Sequence, residues 1–177
     1  MKIIFKDYIK LNEKELMDIL NLRNQRNIRE NMIGSEIISL ENHLSWVKTL
    51  EKSDNKRYFA IDFENEIVGS LSFVKNKEEV SWGVFFKNEI NPFVSSTSTF
   101  IFLNFLFFDI CENIYSSVKK ENLKALSFNK NFGFELYKED ENYFYLELEK
   151  QKWENRKNSK LLKPIKNYLD KIDYEFK

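Results

Sequence analysis

The sequence predicts one domain of the α/β or α+β class, in which a mixed sheet is flanked by helices. Over residues 3–149, short β-rich runs alternate with helical patterns in the order β-α-α-β-β-β-α-β-α-β-β. Three strands in the middle are joined by short polar connections, which requires antiparallel hairpins. Two strand–helix–strand crossovers allow parallel neighbours. A chain of 177 residues is long enough for one domain with a sizeable core and short for two.

The segment before the hairpins is predicted to hold one strand and two helices. Residues 3–9 are rich in β-branched and aromatic side chains, which favour a strand. Asn12 can cap a helix that runs to Asn24, since apolar side chains recur there every three or four positions. Ser39 can cap a second helix with an apolar stripe, and His43 lies beside that stripe.

The predicted hairpin strands cover residues 57–63, 67–74 and 80–86. Gly83 lies inside the third strand, where a glycine often marks a bulge or a close approach of backbone. We expect a bulge at Gly83; the alternative is a glycine that only makes room for packing.

The stretch 91–111 is predicted to form a helix in the middle of the core. Asn91-Pro92 closes a loop, because a residue before proline is pushed out of the helical region. Five hydroxyl residues that can cap a helix start follow it, and the remainder is apolar on nearly every side. The hydroxyl residues are Ser95, Ser96, Thr97, Ser98 and Thr99.

This hydroxyl cluster allows two interpretations. Free N–H groups at a helix start suit an anion, so the cluster is a candidate cradle for a pyrophosphate. The alternative is a helix that is merely well capped. A membrane span needs about 20 apolar residues, and this run is too short for one.

The chain is predicted to continue with a strand over residues 113–118, a short helix over 122–131, and a closing hairpin over 134–138 and 143–149. Residues 1–149 then form the domain, and residues 150–177 a basic tail of helical pattern. We expect the tail to pack on the domain through its apolar positions. The alternatives are pairing with another chain, such as a second copy in a homodimer, a tail that stays loose, and binding to a membrane surface.

Composition narrows the function classes. The formal net charge is zero, so nothing global indicates nucleic acid or an anionic membrane as the main partner. One histidine and one cysteine exclude a Cys/His zinc site by count, and we predict no metal. The lone Cys111 and an N-terminus without a signal-peptide pattern favour the cytoplasm.

Several strings, in this order and spacing, resemble those of the GCN5-related N-acetyltransferases (GNATs). Within that superfamily, the chain looks most like the enzymes that acetylate a nucleotide-linked amino sugar on the pathway to pseudaminic acid. The strings are Leu22-Arg23-Asn24, Leu40-Glu41-Asn42-His43-Leu44, Arg57-Tyr58-Phe59, Ile67-Val68-Gly69, Trp82-Gly83-Val84-Phe85, Asn122-Leu123-Lys124-Ala125-Leu126 and Phe132-Gly133-Phe134.

The resemblance implies a splayed sheet with acetyl-CoA between the strand of Gly83 and the strand 113–118. The pantetheine arm would lie along Val84 and Phe85 and meet Asn122, whose alternative role is an ordinary helix cap. The pyrophosphate would lie on the hydroxyl cluster. A backbone N–H at Gly83 or Val84 would polarise the thioester carbonyl, and the amine would attack directly.

The sequence departs from the family pattern at two places. Ser96 and Ser98 replace glycines of the phosphate loop, and Asn129 stands where the family has a tyrosine that protonates the leaving thiolate. An amide cannot give that proton. Solvent or another phenol could serve instead, and Tyr115 and Tyr137 are the candidate phenols.

The resemblance also implies that Arg23, Asn24 and His43 contact the acceptor substrate. Arg23 can pair with a nucleotide phosphate, or it can be a cation at a helix C-terminus. His43 can contact the sugar nucleotide, or it can be a boundary residue satisfied by backbone or water.

Three hypotheses follow. The first is an acetyl-CoA-dependent N-acetyltransferase acting on a small amine, a nucleotide-linked 4-amino-deoxy sugar. The second is a non-catalytic binding module that has kept the fold and lost the cofactor loop. The third is an acyltransferase with a different acyl donor. The hydroxyl cluster and Asn129 are the sequence features that distinguish the three hypotheses, because they are where the chain departs from the family pattern.

Overall fold

The computed structural model describes all residues, Met1–Lys177, and places eight strands in one mixed sheet. The strands are β1 (Lys2–Asp7), β2 (Lys56–Phe63), β3 (Glu66–Asn76), β4 (Glu79–Phe86), β5 (Asn113–Lys119), β6 (Glu135–Glu139), β7 (Tyr143–Glu149) and β8 (Asp173–Phe176). They lie side by side in the order β6-β7-β5-β4-β3-β2-β1-β8. The predicted mixed sheet is confirmed.

Seven helices surround this sheet. They are α1 (Glu13–Asn24), α2 (Arg26–Arg29), α3 (Leu40–Leu50), α4 (Pro92–Asp109), α5 (Leu123–Asn131), α6 (Lys150–Lys157) and α7 (Lys163–Leu169). A 3₁₀ turn, Tyr8–Lys10, shortens the first predicted strand.

The first two predicted helix starts are confirmed. Asn12 accepts the N–H of Glu15 at 3.0 Å, and the Glu15 carboxylate accepts the N–H of Asn12 at 3.0 Å, which makes a capping box. Ser39 accepts the N–H of Asn42 at 3.2 Å at the start of α3.

The strands β4 and β5 are parallel neighbours only at their first residues. Val80 lies opposite Ile114, and Ser81 lies opposite Tyr115, after which the pairing ends. The sheet therefore opens between these strands, as the resemblance implied, and residues 82–86 have no strand partner on the β5 side.

The second predicted crossover does not give parallel neighbours. Helix α5 leads from β5 to β6, but β7 lies between those two strands and pairs antiparallel with each. β5 pairs with β7 at seven positions, so its edge on that side is not available to β6. Because β5 and β7 are far apart in the sequence, no local pattern indicates that they pair.

Helix α4 begins three residues before the hydroxyl cluster. Asn91 caps it, and Pro92 occupies its first turn, where a missing N–H costs nothing. Residues 95–99 therefore lie inside the helix, and the phosphate loop that the resemblance implied there is not formed. The rest of α4 lies in the core, with Phe102, Leu103 and Leu106 fully buried. No helix of the fold is long and apolar enough to cross a membrane.

The segment after β7 packs against the same core. Trp153 of α6 is fully buried, and its indole N–H donates to Asn104 Oδ1 of α4 at 3.0 Å. Helices α6 and α7 agree with the helical pattern of this tail. Strand β8, which we did not predict, pairs in parallel with β1, and its Phe176 ring stacks on Phe5 with 4.5 Å between ring centroids.

Candidate active site

A groove of about 350 Å³ lies where β4 and β5 separate, bounded by α2, the start of α4 and α5. It brings together five of the predicted residues, which are Val84, Phe85, Ser95, Asn122 and Asn129. The edge of β4 that lacks a strand partner forms one wall. Free backbone N–H and C=O groups on such an edge can pair with an extended ligand.

Two asparagines of this groove differ in what they bind. Asn122 is used as the cap of α5, since its Oδ1 accepts the N–H of Ala125 at 3.1 Å. Asn129 is buried and donates its amide N–H to the Ala125 carbonyl at 2.8 Å, but its Oδ1 has no partner in the protein. A buried acceptor left alone costs about 1–3 kcal/mol, so a donor on a ligand would stabilise this position.

Only Ser95 of the hydroxyl cluster lines the groove, and its hydroxyl donates to the Pro92 carbonyl at 3.1 Å. Ser96 is half-buried one position further along α4 and lies outside the groove lining. Thr97, Ser98 and Thr99 are completely buried, and their hydroxyl oxygens have no partner. The structure does not bring these three to the groove.

The start of α4 is also closed to an anion. Asn91 accepts the Phe93 N–H through Oδ1 at 2.9 Å, and its carbonyl accepts the N–H groups of Val94 and Ser95 at 2.9 and 3.3 Å. Pro92 has no N–H. The N–H cradle that was expected for a pyrophosphate is therefore not formed.

A second cavity, of about 550 Å³, lies on the other side of β4, between α1, α3 and the hairpin strands. Arg23, His43, Gly83 and Val84 line it. The two spaces have three lining residues in common, which are Met32, Val84 and Phe85. The groove and the cavity therefore meet at β4.

Four rings line this cavity, which we call the acceptor cavity because the resemblance places the acceptor substrate at Arg23 and His43. Tyr8 and Trp46 each lie 4.8–6.3 Å, between ring centroids, from His43, from Tyr58 and from each other. Burial lowers the pKa of His43, so its imidazole is neutral at pH 7, and its Nε2 has no protein partner. The Tyr8 hydroxyl donates to Ser70 Oγ at 2.9 Å, and burial raises the Tyr8 pKa well above its usual value.

Arg23 is a half-buried cation without a carboxylate partner. Its Nη2 donates to the Gly34 carbonyl, and its Nη1 is buried without a partner. Burial lowers the pKa of Arg23, but a guanidinium stays charged near neutral pH. An anionic group in the cavity would complete its hydrogen bonds.

Asn24, the third residue expected to contact the acceptor, does not line the cavity. Its Nδ2 donates to the Ile38 carbonyl at 2.8 Å, and its Oδ1 accepts the Ile38 N–H at 3.0 Å. Asn24 therefore fixes the segment that covers the cavity.

Gly83 does not mark a bulge. The β3–β4 register is regular through Gly83, which lies opposite Ser72, so the predicted bulge is wrong. A Cβ at Gly83 would meet the Ser72 hydroxyl at 2.8 Å. This glycine makes room for a side chain of the neighbouring strand.

The two tyrosines named as proton donors do not reach the groove. Tyr115 lies opposite Ser81, where β4 and β5 are still paired, and its ring packs edge-on against Tyr137 at 5.9 Å between centroids. Neither residue lines the groove.

Several residues of the cavity were not predicted from the sequence. Ser70 and Ser72 alternate on β3, a spacing of two that places both side chains on one face and was available in the sequence. Tyr8, Trp46 and Tyr58 come from three distant elements, and no local pattern connects them. No group of three or more His, Cys, Asp or Glu is placed to hold a metal ion.

No family model matches the chain. In sequence, it is 26% identical over 146 residues to the acetyltransferase PseH of Campylobacter jejuni (serotype O:23/36), with 81% of this chain and 92% of the relative covered. In fold, it matches the crystal structure of Campylobacter jejuni N-acetyltransferase PseH in complex with acetyl coenzyme A. The TM-score is 0.68 at 24% identity, over 84% of this chain and 99% of the other.

Two further solved structures have the same fold. The first is FdhC, a nucleotide-linked sugar GNAT, with a TM-score of 0.69 at 20% identity over 83% of this chain and 88% of the other. The second is the spermidine N-acetyltransferase of Vibrio cholerae, with a TM-score of 0.72 at 18% identity over 82% and 95%. In sequence and in fold, the chain resembles the GCN5-related N-acetyltransferases and, among them, the PseH acetyltransferases.

Proposed function

We propose that this protein is an acetyl-CoA-dependent N-acetyltransferase that acts on a small amine, a nucleotide-linked 4-amino-deoxy sugar. The observation that carries the proposal is the meeting of two spaces at Val84 and Phe85. A thioester lying along the groove side of β4 and an amine entering from the cavity would approach each other at this strand. Direct transfer between two bound substrates needs such a shared wall.

The chemistry of the acceptor cavity supports a ring-shaped, anionic acceptor. Its aromatic floor can stack against a sugar or a base. Arg23, with no carboxylate partner, suits a phosphate, and the neutral His43 can exchange hydrogen bonds with sugar hydroxyls. A nucleotide-linked amino sugar combines all three features.

In this proposal, the chain contributes mainly backbone groups to the reaction. An N–H on the unpaired edge of residues 82–86 would polarise the thioester carbonyl, an oxyanion-hole role that needs no side chain. Since the strand is regular at Gly83, the opening of the sheet, rather than a bulge, frees that N–H. The amine attacks directly, and the thiolate is a leaving group of low basicity that solvent can protonate.

We place this activity in the cytoplasm. The free thiol of Cys111, the only cysteine of the chain, agrees with a reducing compartment. Burial raises the pKa of Cys111 to about 11, which keeps the thiol protonated and unreactive.

The test is thiol release from acetyl-CoA by the purified protein with a panel of amines. The panel holds a UDP-linked 4-amino-deoxy sugar, the same sugar without its nucleotide, spermidine and an N-terminal alanine peptide. We expect turnover to be highest with the nucleotide-linked sugar. Equal turnover of the sugar with and without its nucleotide would contradict the acceptor assignment. No thiol release with any amine would contradict the enzyme assignment and favour a binding module.

A further inference from the structure

We infer that the protein recognises its acyl donor through the pantetheine arm and not through the pyrophosphate, so that 4′-phosphopantetheine thioesters serve about as well as acetyl-CoA. The inference rests on the proposed function. The reaction is the same for both donors: the amine nitrogen forms a bond to the acyl carbon, and the C–S bond breaks. The proton that the amine loses balances the one that the thiol gains.

The first observation is the occupied start of α4. The side chain and carbonyl of Asn91 take the N–H groups of residues 93–95, and Pro92 contributes none. A pyrophosphate at this helix would have to displace those hydrogen bonds. The N–H groups that would usually bind a phosphate at a helix start are therefore already used in hydrogen bonds within the protein.

The second observation is the charge around the groove. Lys124 is the only cation among its lining residues. In the connection before α4, Lys87 is paired with Glu66 at 2.6 Å, and Glu89 adds an exposed carboxylate. Coenzyme A carries three phosphate groups, whereas 4′-phosphopantetheine carries one. The single positive charge of Lys124 suits the one phosphate group of 4′-phosphopantetheine better than the three of coenzyme A.

The third observation concerns the amides of the donor. Asn129 is only 2% exposed, and its Oδ1 has no protein partner. It lines the same groove as the unpaired edge of β4 at Val84 and Phe85. A pantetheine arm has two secondary amides. Their N–H and C=O groups can pair with Asn129 Oδ1 and with the unpaired backbone edge of β4, whereas the groove presents no comparable groups to a nucleotide.

The experiment is calorimetry with three probes, which are coenzyme A, 4′-phosphopantetheine and adenosine 3′,5′-bisphosphate. We expect the Kd values of the first two to agree within about threefold, and the bisphosphate neither to bind nor to compete. A Kd for coenzyme A that is lower by roughly 30-fold or more would overturn the inference, because such a ratio is about 2 kcal/mol of nucleotide recognition. Competition by the bisphosphate, or no binding of any probe, would also overturn it.

Variants separate the pantetheine contact from general effects. Asn129→Ala should raise the Kd of coenzyme A and of 4′-phosphopantetheine by the same factor, about fivefold to tenfold for one buried hydrogen bond. Lys130→Gln on the same helix is the matched control, since Lys130 is exposed outside the groove and should change neither Kd. An effect of Asn129→Ala on coenzyme A alone would contradict the assigned contact.

Turnover with the two acetylated donors distinguishes this inference from the proposed function. Acetyl transfer from acetyl-CoA but not from S-acetyl-4′-phosphopantetheine would refute the inference and leave the proposed function standing. Transfer from neither donor to any amine would refute the proposed function itself. Comparable kcat/KM values for both donors are the expected result.

Discussion

At the scale of single residues, a substitution at Arg23 tests whether acceptor binding can be separated from donor binding. Arg23→Gln removes the only cation of the acceptor cavity, so we predict that KM for the nucleotide-linked amine rises about 10- to 100-fold, as expected for loss of a charged hydrogen bond. The Kd of coenzyme A should not change. Steady-state kinetics and calorimetry measure the two effects.

The control for Arg23 is Arg26→Gln in the adjacent helix α2, where the side chain is exposed and paired with Glu30. It should alter neither constant. If Arg23→Gln weakens both ligands equally, Arg23 supports the fold through its hydrogen bond to Gly34 rather than binding a phosphate.

The only histidine of the chain should give the stability a pH dependence of known sign. Burial lowers the pKa of His43 in the folded state, so below its ordinary pKa of about 6.5 the unfolded chain binds the proton more readily. The contribution of the neutral His43 to the free energy of unfolding is therefore fully present above that pH and is lost as the pH drops from about 7 to 5. Tyr8, whose ring packs against the imidazole, and Tyr58 and Arg23, which line the same cavity, do not titrate in this window.

We predict that His43→Gln flattens this part of the stability curve, because glutamine has no proton to take up. Urea unfolding of both proteins at pH 7, 6 and 5 measures the slopes. Identical slopes would mean that His43 is protonated equally well in the folded state, and the desolvated environment assigned to it would be wrong.

Asn129 gives a prediction about chemistry and affinity together. Asn129→Tyr introduces a phenol where the family has its proton donor, and we predict a rise in kcat that is smaller than the roughly 100-fold or more of a full general acid. KM for the donor should rise, because the Oδ1 acceptor is lost. An unchanged kcat would show that solvent supplies the proton without limiting the rate.

At the scale of elements, α4 reverses an expectation from the sequence. If residues 95–99 formed a phosphate loop, Ser96→Gly with Ser98→Gly would tighten coenzyme A binding. Both residues lie inside α4, so we predict a loss of about 0.5 kcal/mol of stability for each serine replaced by glycine and no gain in affinity. Thermal unfolding and calorimetry on the double variant measure both effects. Tighter binding would restore the loop interpretation.

Elements with local signals were predictable, and those built by distant pairing were not. Asn12 and Ser39 are local signals, because each caps the helix that begins directly after it. The turns between β2, β3 and β4 follow from short polar connections in the sequence. Pro92 was misleading, because proline favours both the end of a loop and the first turn of a helix. Nothing near β8 shows that it pairs with residues at the start of the chain.

The candidate site was likewise predictable only in part. Val84, Phe85, Asn122 and Asn129 meet in the groove, as the resemblance to a family implied. The same resemblance placed a phosphate cradle on the hydroxyl cluster, where the hydrogen bonds of Asn91 leave no free N–H groups. A motif aligned by position does not reveal which donors are already used.

At the scale of the whole molecule, the tail completes the sheet. Phe176 of β8 stacks against Phe5 and Phe105, with centroids 4.5 and 4.8 Å away. We predict that Phe176→Ala lowers the free energy of unfolding by about 2 kcal/mol, less than for a fully buried ring, and leaves coenzyme A binding unchanged. Tyr174→Ala, at a half-exposed ring on the same strand, is the control and should cost under about 0.5 kcal/mol. Equal losses in urea unfolding would mean that β8 is not docked through Phe176.

The pairing of β1 with β8 also has a consequence for synthesis. The Asp7 N–H donates to the Lys177 carbonyl at 2.8 Å, and the Lys177 N–H donates to the Phe5 carbonyl at 2.8 Å. The ribosome makes β1 before the other strands of this sheet and β8 after them. Until then, the outer edge of β1 is a free template for a strand from another nascent chain. A product arrested before residue 173 keeps that edge open, so synthesis of this one short strand separates a closed sheet from an aggregation-prone one.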